Sequence, residues 1–173
     1  MILNYFSMII SLLISSTFIA SFYMKAKSFP STKCEIYSYK IIKNRQLINI
    51  SSHFLLITEL LIAICFAFNL FGYIKIVFCG LLLIFFCLIL LSKRKKEKDI
   101  KGRSCSCFGD MEFMNKYPLF RNGILLGLLF IQLFLPNYHL DFKLEVTLFL
   151  LIVIVIVFYD LVLQIKKLKA NYI

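Results

Sequence analysis

Five long apolar runs with almost no charged residues constrain this chain more than any other feature. They cover residues 2–24, 54–74, 76–91, 122–138 and 146–165. A membrane-spanning helix needs about 20 largely apolar residues, and backbone groups in lipid must form their hydrogen bonds internally, which favours helices. We therefore predict an all-α, polytopic transmembrane bundle of about five spans, a four-helix core plus one. This bundle would form a single integral membrane domain over residues 1–173.

The composition supports a membrane protein and argues against other classes. The chain is 61% hydrophobic and 17% charged, whereas a soluble domain is about a quarter charged and a disordered chain needs low hydrophobicity. A disulfide-rich secreted domain is disfavoured because three of the six cysteines lie inside apolar runs, namely Cys65, Cys79 and Cys87. The net charge of +11 lies between apolar runs, which indicates contact with anionic membrane lipid and not with nucleic acid.

The basic residues are concentrated on one side of the predicted topology. Five spans would place loop 1 (25–52), loop 3 (92–121) and the C-terminal tail on the same side, and these segments hold all but Lys75 and Lys143 of the 20 Lys and Arg residues. By the positive-inside rule we predict a bacterial plasma or inner membrane protein with loops 1 and 3 in the cytoplasm. The first run lacks a basic residue before it and a clear cleavage site, so we expect it to remain in the mature protein.

Loop 3 contains most of the candidate reactive residues, in the sequence Gly102-Arg103-Ser104-Cys105-Ser106-Cys107-Phe108-Gly109. Two cysteines one residue apart can close a small, strained disulfide or offer two thiolates to one metal, and a basic neighbour such as Arg103 favours the thiolate. A structural zinc site normally needs four Cys or His ligands, so we expect no metal. Cys34 in loop 1 is either a third thiol within reach of the pair or an incidental cysteine.

Glu59 lies inside the second apolar run, where a carboxylate is costly unless it faces the bundle interior, a partner or a water-filled cavity. It could bind a quinone-like or other apolar cofactor, relay protons, pair with a basic group such as Lys25, or be an interfacial carboxylate. The second and third runs are joined by a tight hairpin around Gly72, so Glu59 and loop 3 would lie towards the same membrane side. We therefore predict that Glu59 belongs to the mechanism of the dithiol.

Three further polar residues within or beside the apolar runs have structural interpretations. Asn69 and Gln132 are expected to form interhelical hydrogen bonds. The short third span could lengthen if Lys75 snorkels to the interface.

A family resemblance rests on the order of these polar residues. Lys25 follows the first run, Glu59 lies in the second, Cys105-Ser106-Cys107-Phe108-Gly109 follows the third, and Arg121-Asn122 opens the fourth. This order, over roughly residues 18–135, resembles the MauE type of methylamine-utilisation membrane proteins, which belong with the DoxX-like, redox-associated membrane proteins.

The resemblance implies a function in disulfide handling. The MauE-type family is associated with maturation of the disulfide-rich small subunit of methylamine dehydrogenase, alongside a thioredoxin-like partner. It therefore implies membrane thiol–disulfide chemistry, as in a thiol–disulfide oxidoreductase, with Cys105 and Cys107 as its centre, and does not fix the substrate. Such a protein would exchange electrons between a thioredoxin-like protein and either a membrane carrier or a client protein. The expected accessory residues are Lys25, Cys34, Glu59, Arg103, Arg121 and Asn122.

Two other function classes fit the same residues. The first is a non-enzymatic docking subunit or chaperone, in which the cysteine pair serves only to hold loop 3. The second is a small-solute carrier with its site at Glu59 and the hairpin. Disulfide formation normally takes place on the extracytoplasmic side, whereas the charge distribution places loop 3 in the cytoplasm. Three explanations stay open. The dithiol exchanges electrons with a cytoplasmic thioredoxin-like partner, helix packing overrides the charge rule, or the third or fourth run is too short to cross the membrane.

Overall fold

The computed structural model describes residues 2–38, 44–97, 118–136 and 142–171, and all regular structure within these ranges is helical. The helices are α1 (Ile2–Lys27), α2 (Phe29–Ser38), α3 (Arg45–Ala67), α4 (Tyr73–Glu97), α5 (Pro118–Leu133) and α6 (Phe142–Asn171). Contacts between residues divide the chain into two compact units, Met1–Tyr138 and His139–Ile173. The first unit contains α1 to α5, and the second contains α6.

Four helices, α1, α3, α4 and α6, are long and apolar enough to cross a membrane. The fifth apolar helix, α5, has 16 residues, or about 24 Å at 1.5 Å per residue, against a hydrocarbon core of about 30 Å. The prediction of an all-α, polytopic helical bundle is confirmed. The chain is a multi-pass membrane protein, and one of its five apolar helices is shorter than a typical span.

Helices α1 and α2 are separated only by Ser28, which makes a turn between them. Pro30 explains the break, because proline lacks an N–H group and its ring would clash with the carbonyl group four residues earlier, that of Ala26. The Thr32 hydroxyl donates a hydrogen bond to the carbonyl oxygen of Lys25 at 3.3 Å, which supplies a donor to the last turn of α1. Both helices pack against α3.

The second span starts earlier than predicted. Loop 1 was expected to be polar and without helices from residue 25 to 52, yet the structure has α2 and the first turns of α3 there. Asn44 caps α3, since its backbone is extended and its side-chain oxygen accepts a hydrogen bond from the N–H group of Gln46 at 3.0 Å. Such a cap favours a helix start in polar sequence, where hydropathy gives no signal.

The second span also ends earlier than predicted, at Ala67 instead of residue 74. The N–H group of Leu70 donates to the carbonyl oxygen of Cys65 at 2.9 Å, and Asn69 has a φ of 46°. The left-handed Asn69 and this hydrogen bond, which joins residues five apart, form a Schellman motif, which terminates helices. Phe71 and Gly72 also have positive φ values, so the hairpin turn is a short left-handed segment between α3 and α4.

Lys75, whose snorkelling would lengthen the third span, has its contacts within the first unit. Its side chain is buried, it donates a hydrogen bond to the side-chain oxygen of Asn69, and its ammonium lies 5.2 Å from the centroid of the Phe66 ring. The turn brings Asn69 to Lys75, so the lysine has a polar partner and an aromatic face inside the bundle. The predicted hydrogen bond of Asn69 therefore links the turn to α4.

Gln132 forms the interhelical hydrogen bonds that were predicted for it. Its amide nitrogen donates to the hydroxyl oxygens of Ser7 and Ser11, both at 3.0 Å. The C-terminal part of α5 therefore lies beside the N-terminal part of α1, which makes the two helices antiparallel. Despite its 16 residues, α5 reaches the level of Ser7, only five residues after the start of α1.

The core of the first unit is apolar and lies between its helices. Buried residues come from every helix that spans it, including Ile14, Phe18, Ile62, Phe66, Cys79, Leu83, Leu125 and Leu129. Helix α1 packs mainly against α3, and α4 packs mainly against α5. Several polar residues of α1 are buried in this core, namely Ser7, Ser11, Ser15, Ser21 and Lys25, and two of them belong to the candidate site described next.

Candidate functional site

A buried ion pair lies between α1 and α3. The ammonium of Lys25 binds Oε1 of Glu59, and the Ser21 hydroxyl donates to the same oxygen at 3.2 Å. Glu59 is 3% exposed and Lys25 is 8% exposed. Ser21 and Lys25 lie four residues apart and therefore share one face of α1. Each buried charge thus has the opposite charge as its partner, as burial requires.

Glu59 lies well inside the length of α3. It precedes the end of the helix at Ala67 by eight residues, or about 12 Å, and follows the start at Arg45 by fourteen residues, or about 21 Å. Its burial in the bundle favours the interior interpretation over that of an interfacial carboxylate. Of the alternatives left open by the sequence, the ion pair with Lys25 is the one that the structure contains.

One oxygen of Glu59 has unused hydrogen-bonding capacity. Oε1 receives both donors, whereas Oε2 is buried and has no hydrogen-bond partner in the described part of the chain. A carboxylate oxygen has two acceptor sites, so Oε2 can accept a hydrogen bond or a proton from a group that enters the site. The pair therefore combines a fixed cation with an available acceptor.

Helix α4 extends from the ion pair to the segment that contains the cysteine pair. The Phe86 ring centroid lies 6.0 Å from the ammonium of Lys25, at the outer limit of a cation–π contact. Eleven residues later, α4 ends at Glu97, and α5 begins at Pro118. The predicted site residues Cys105, Cys107 and Arg103 lie between these helices, outside the described residues.

Cys34 is exposed on α2 and lines a cleft of about 440 Å³ between α2 and α3. The other lining residues are Pro30, Lys33, Tyr37, Arg45, Ile48 and Asn49. Two of them are basic, so the thiol lies beside positive charge. The cleft is distinct from the Lys25–Glu59 pair, which lies further along α1 and α3.

Arg121 and Asn122 lie in the first turns of α5, where Arg121 is half-buried and Asn122 is buried. Of the predicted site residues, the structure brings Lys25 and Glu59 into contact. It places Cys34 on α2 and the Arg-Asn pair on α5.

Sequence reasoning missed several polar residues of α1. Ser7, Ser11 and Ser15 are fully buried, and Ser15 donates to the carbonyl oxygen of Ala63 at 2.8 Å. Serines at intervals of four residues within an apolar run share one helix face, so their spacing was an available signal. Ser21 is one turn before Lys25 and was detectable in the same way. Phe86 carried no such signal, because nothing in the sequence distinguishes it from its phenylalanine neighbours.

Comparison with known proteins shows the family to which this chain belongs. The family model described as methylamine utilisation protein MauE matches residues 3–135. The chain belongs to the MauE family. No match was found among curated proteins or among solved structures.

The MauE match coincides with the first compact unit. It ends at residue 135, and the unit ends at Tyr138, so the MauE part of the chain is the bundle of α1 to α5. All the predicted site residues lie within it, whereas α6 follows it. The buried ion pair and the Cys-x-Cys sequence therefore both lie in the segment that the MauE family model matches.

Proposed function

We propose that this MauE-family chain is a membrane thiol–disulfide exchange factor with Cys105 and Cys107 as its reactive pair. It would exchange electrons between a thioredoxin-like protein and a client protein whose disulfides it helps to form or rearrange. The family, with its printed description of methylamine utilisation, favours a client of the kind implied by the resemblance, a disulfide-rich dehydrogenase subunit.

The observation that supports this proposal most strongly is the arrangement around the segment 98–117. Phe86 of α4 lies beside Lys25, and α4 continues from there to Glu97, where the segment begins. The chain therefore leaves α4 at the end of the bundle where α1 finishes. A polar segment with two cysteines and several basic residues, attached near a buried ion pair, suits thiolate chemistry better than packing.

The exchange step balances because the disulfide between Cys105 and Cys107 is itself the oxidant of the client. A thiolate of the reduced client attacks one sulfur of the Cys105–Cys107 disulfide and forms a mixed disulfide. The second client thiolate attacks the client sulfur of that bond, which releases the second cysteine as a thiolate. The client has then lost two electrons and gained a disulfide, and the pair has gained the two electrons. A thioredoxin-like protein in its disulfide form reoxidises the pair by the same reaction.

The orientation is part of the proposal. The charge distribution favours loop 1 and loop 3 in the cytoplasm, because all but Lys75 and Lys143 of the Lys and Arg residues lie in these loops and the C-terminal tail. With this orientation the thioredoxin-like partner is cytoplasmic.

The proposal is tested by redox titration of the purified protein in lipid nanodiscs. Samples equilibrated between about −270 and −120 mV are trapped with a maleimide that adds mass to each free thiol. We expect a two-electron transition that disappears in Cys105→Ser and in Cys107→Ser. The matched control is Cys34→Ser, which removes an exposed thiol and should keep the transition. A pair that stays reduced throughout, or zinc that co-purifies in equal amount, contradicts the proposal.

A cellular test separates the proposal from the docking and carrier alternatives. The double variant Cys105→Ser/Cys107→Ser should abolish client maturation while the protein remains inserted and abundant. Retained maturation would favour a docking subunit or a carrier, for which the cysteine pair is dispensable.

A further inference from the structure

A second polar cluster lies about 15 Å along α1 from Ser21 and is separate from the Lys25–Glu59 pair. It consists of Ser7 and Ser11, which are fully buried, and Gln132 of α5, which is 4% exposed. The amide nitrogen of Gln132 donates to both hydroxyl oxygens. Its amide oxygen is buried and has no hydrogen-bond partner within the described ranges.

The unpaired amide atom of Gln132 can bind a small polar ligand. If the amide group were rotated by 180°, its oxygen would accept from the two hydroxyls and its nitrogen would have no acceptor, so one amide atom is left over in both orientations. A buried polar group without a hydrogen-bond partner lowers the stability of the fold. Such groups in folded proteins are normally hydrogen-bonded to protein or to ordered water.

The chemistry of the cluster selects an uncharged ligand that both donates and accepts hydrogen bonds. Gln132 offers an acceptor, and each serine hydroxyl, which accepts from Gln132, still has a proton to donate. All three side chains are neutral, so nothing in the cluster compensates an ionic charge. Water, with two donors and two acceptors, complements this set in either orientation of the amide.

The surroundings indicate where water would enter and where it would stop. Asn4 is exposed and lies one turn before Ser7 on the same face of α1, so polar groups lead from the N-terminal end of α1 to the cluster. On the other side, Ile14 and Phe18 are 0% and 5% exposed. Ser15, which lies between them in the sequence and on the face of Ser7 and Ser11, already donates its hydroxyl proton to the carbonyl oxygen of Ala63 at 2.8 Å, so it has no proton left to donate to water.

We propose that Ser7, Ser11 and Gln132 form a buried water-binding site that is filled from the N-terminal end of α1. Ile14 and Phe18 form the apolar layer that ends it. Water at this site satisfies the amide of Gln132 and joins α5 to α1, and it hydrates the bundle interior from the end opposite to the Lys25–Glu59 pair.

Substituted cysteines test the proposal, because the thiolate that reacts with methanethiosulfonate reagents forms readily in water and poorly in apolar surroundings. Ser11→Cys is compared with Ile14→Cys, which is fully buried and three residues further along α1. Modification at each position is followed by peptide mass spectrometry, so the native cysteines can stay. We expect Ser11→Cys to react at least about tenfold faster. Equal rates would overturn the proposal.

A second variant links the reactivity to Gln132. Adding Gln132→Leu removes the amide that binds the water, so modification of Ser11→Cys should slow to the rate of Ile14→Cys. Should Ser11→Cys fail to accumulate, Ser7→Cys replaces it with the same expectation. A rate that is unchanged by Gln132→Leu would show that the amide binds no water and would overturn the proposal.

Discussion

The ammonium of Lys25 and the carboxylate of Glu59 meet between α1 and α3, although 34 residues separate them in the sequence. Ser15 binds the carbonyl oxygen of Ala63 further along the same pair of helices. Two polar contacts between antiparallel helices define the register of one helix relative to the other. The ion pair is therefore a structural constraint on the bundle as well as the candidate functional group.

The ion pair predicts how the stabilities of two single variants compare with that of the double variant. Lys25→Met or Glu59→Leu alone removes one member of a buried ion pair, so each should destabilise the bundle by about 3–5 kcal/mol. The double variant removes both charges and should lose less than either single variant. Unfolding by denaturant in mixed micelles measures these differences. Lys143→Met, which changes an exposed lysine on α6, is the control. A double variant as unstable as the sum of the single variants would contradict a direct pairing.

Gln132 predicts a smaller effect at the contact between α1 and α5. Gln132→Ala removes two interhelical hydrogen bonds, which should lower the free energy of unfolding by about 1–2 kcal/mol. The matched control is Gly127→Ala on the same helix, where an added methyl group meets nothing within 4 Å and should not destabilise the protein. Equal effects of the two substitutions would show that the hydrogen bonds contribute nothing measurable.

Much of the fold was predictable from sequence because lipid restricts the choices. Long apolar runs must be helical, and a polar residue such as Gln132 within them must find a partner inside the bundle. The same reasoning placed Lys25 among the candidate partners of Glu59. The helical bundle and these contacts were therefore predictable, because polar groups without a hydrogen-bond partner are costly in lipid.

The parts that were missed depend on local or long-range geometry. Hydropathy cannot detect α2, which lies in polar sequence, or the start of α3 at its Asn44 cap. Asn69 approaches its partner Lys75 only through a left-handed turn, which hydropathy does not reveal. Phe86 meets Lys25 through the packing of α4, which no local pattern encodes.

The antiparallel packing of α5 on α1 predicts the membrane topology. Gln132 lies at the level of Ser7, so residue 137 should reach the membrane side on which α1 begins. In the proposed orientation, with loops 1 and 3 in the cytoplasm, that side faces outward. A cysteine probe at Asn137 should then react with an impermeant reagent in intact cells, as should one at Phe71, which is exposed in the hairpin turn. The native Cys34 should react only in inverted vesicles. Labelling of Asn137 and Phe71 from opposite sides would show that α5 does not cross.

The last prediction joins Glu59 to the chemistry of the cysteine pair. Oε2 of Glu59 has no partner among the described residues and could take up or release a proton as a disulfide is made or broken. Glu59→Gln keeps the shape of the side chain and removes its charge. It should slow thiol–disulfide exchange with a client peptide by about a hundredfold or more, the scale of general acid–base catalysis.

The matched control for this substitution is Asp160→Asn. Asp160 is also a buried carboxylate in an apolar helix, but it lies in α6, beyond the region matched by the MauE family, and its substitution should leave the rate unchanged. Both variants must be inserted and abundant, which immunoblotting of membranes verifies. If Glu59→Gln exchanges disulfides as fast as Asp160→Asn, then Glu59 serves only to pair with Lys25, and the redox chemistry belongs to Cys105 and Cys107 alone.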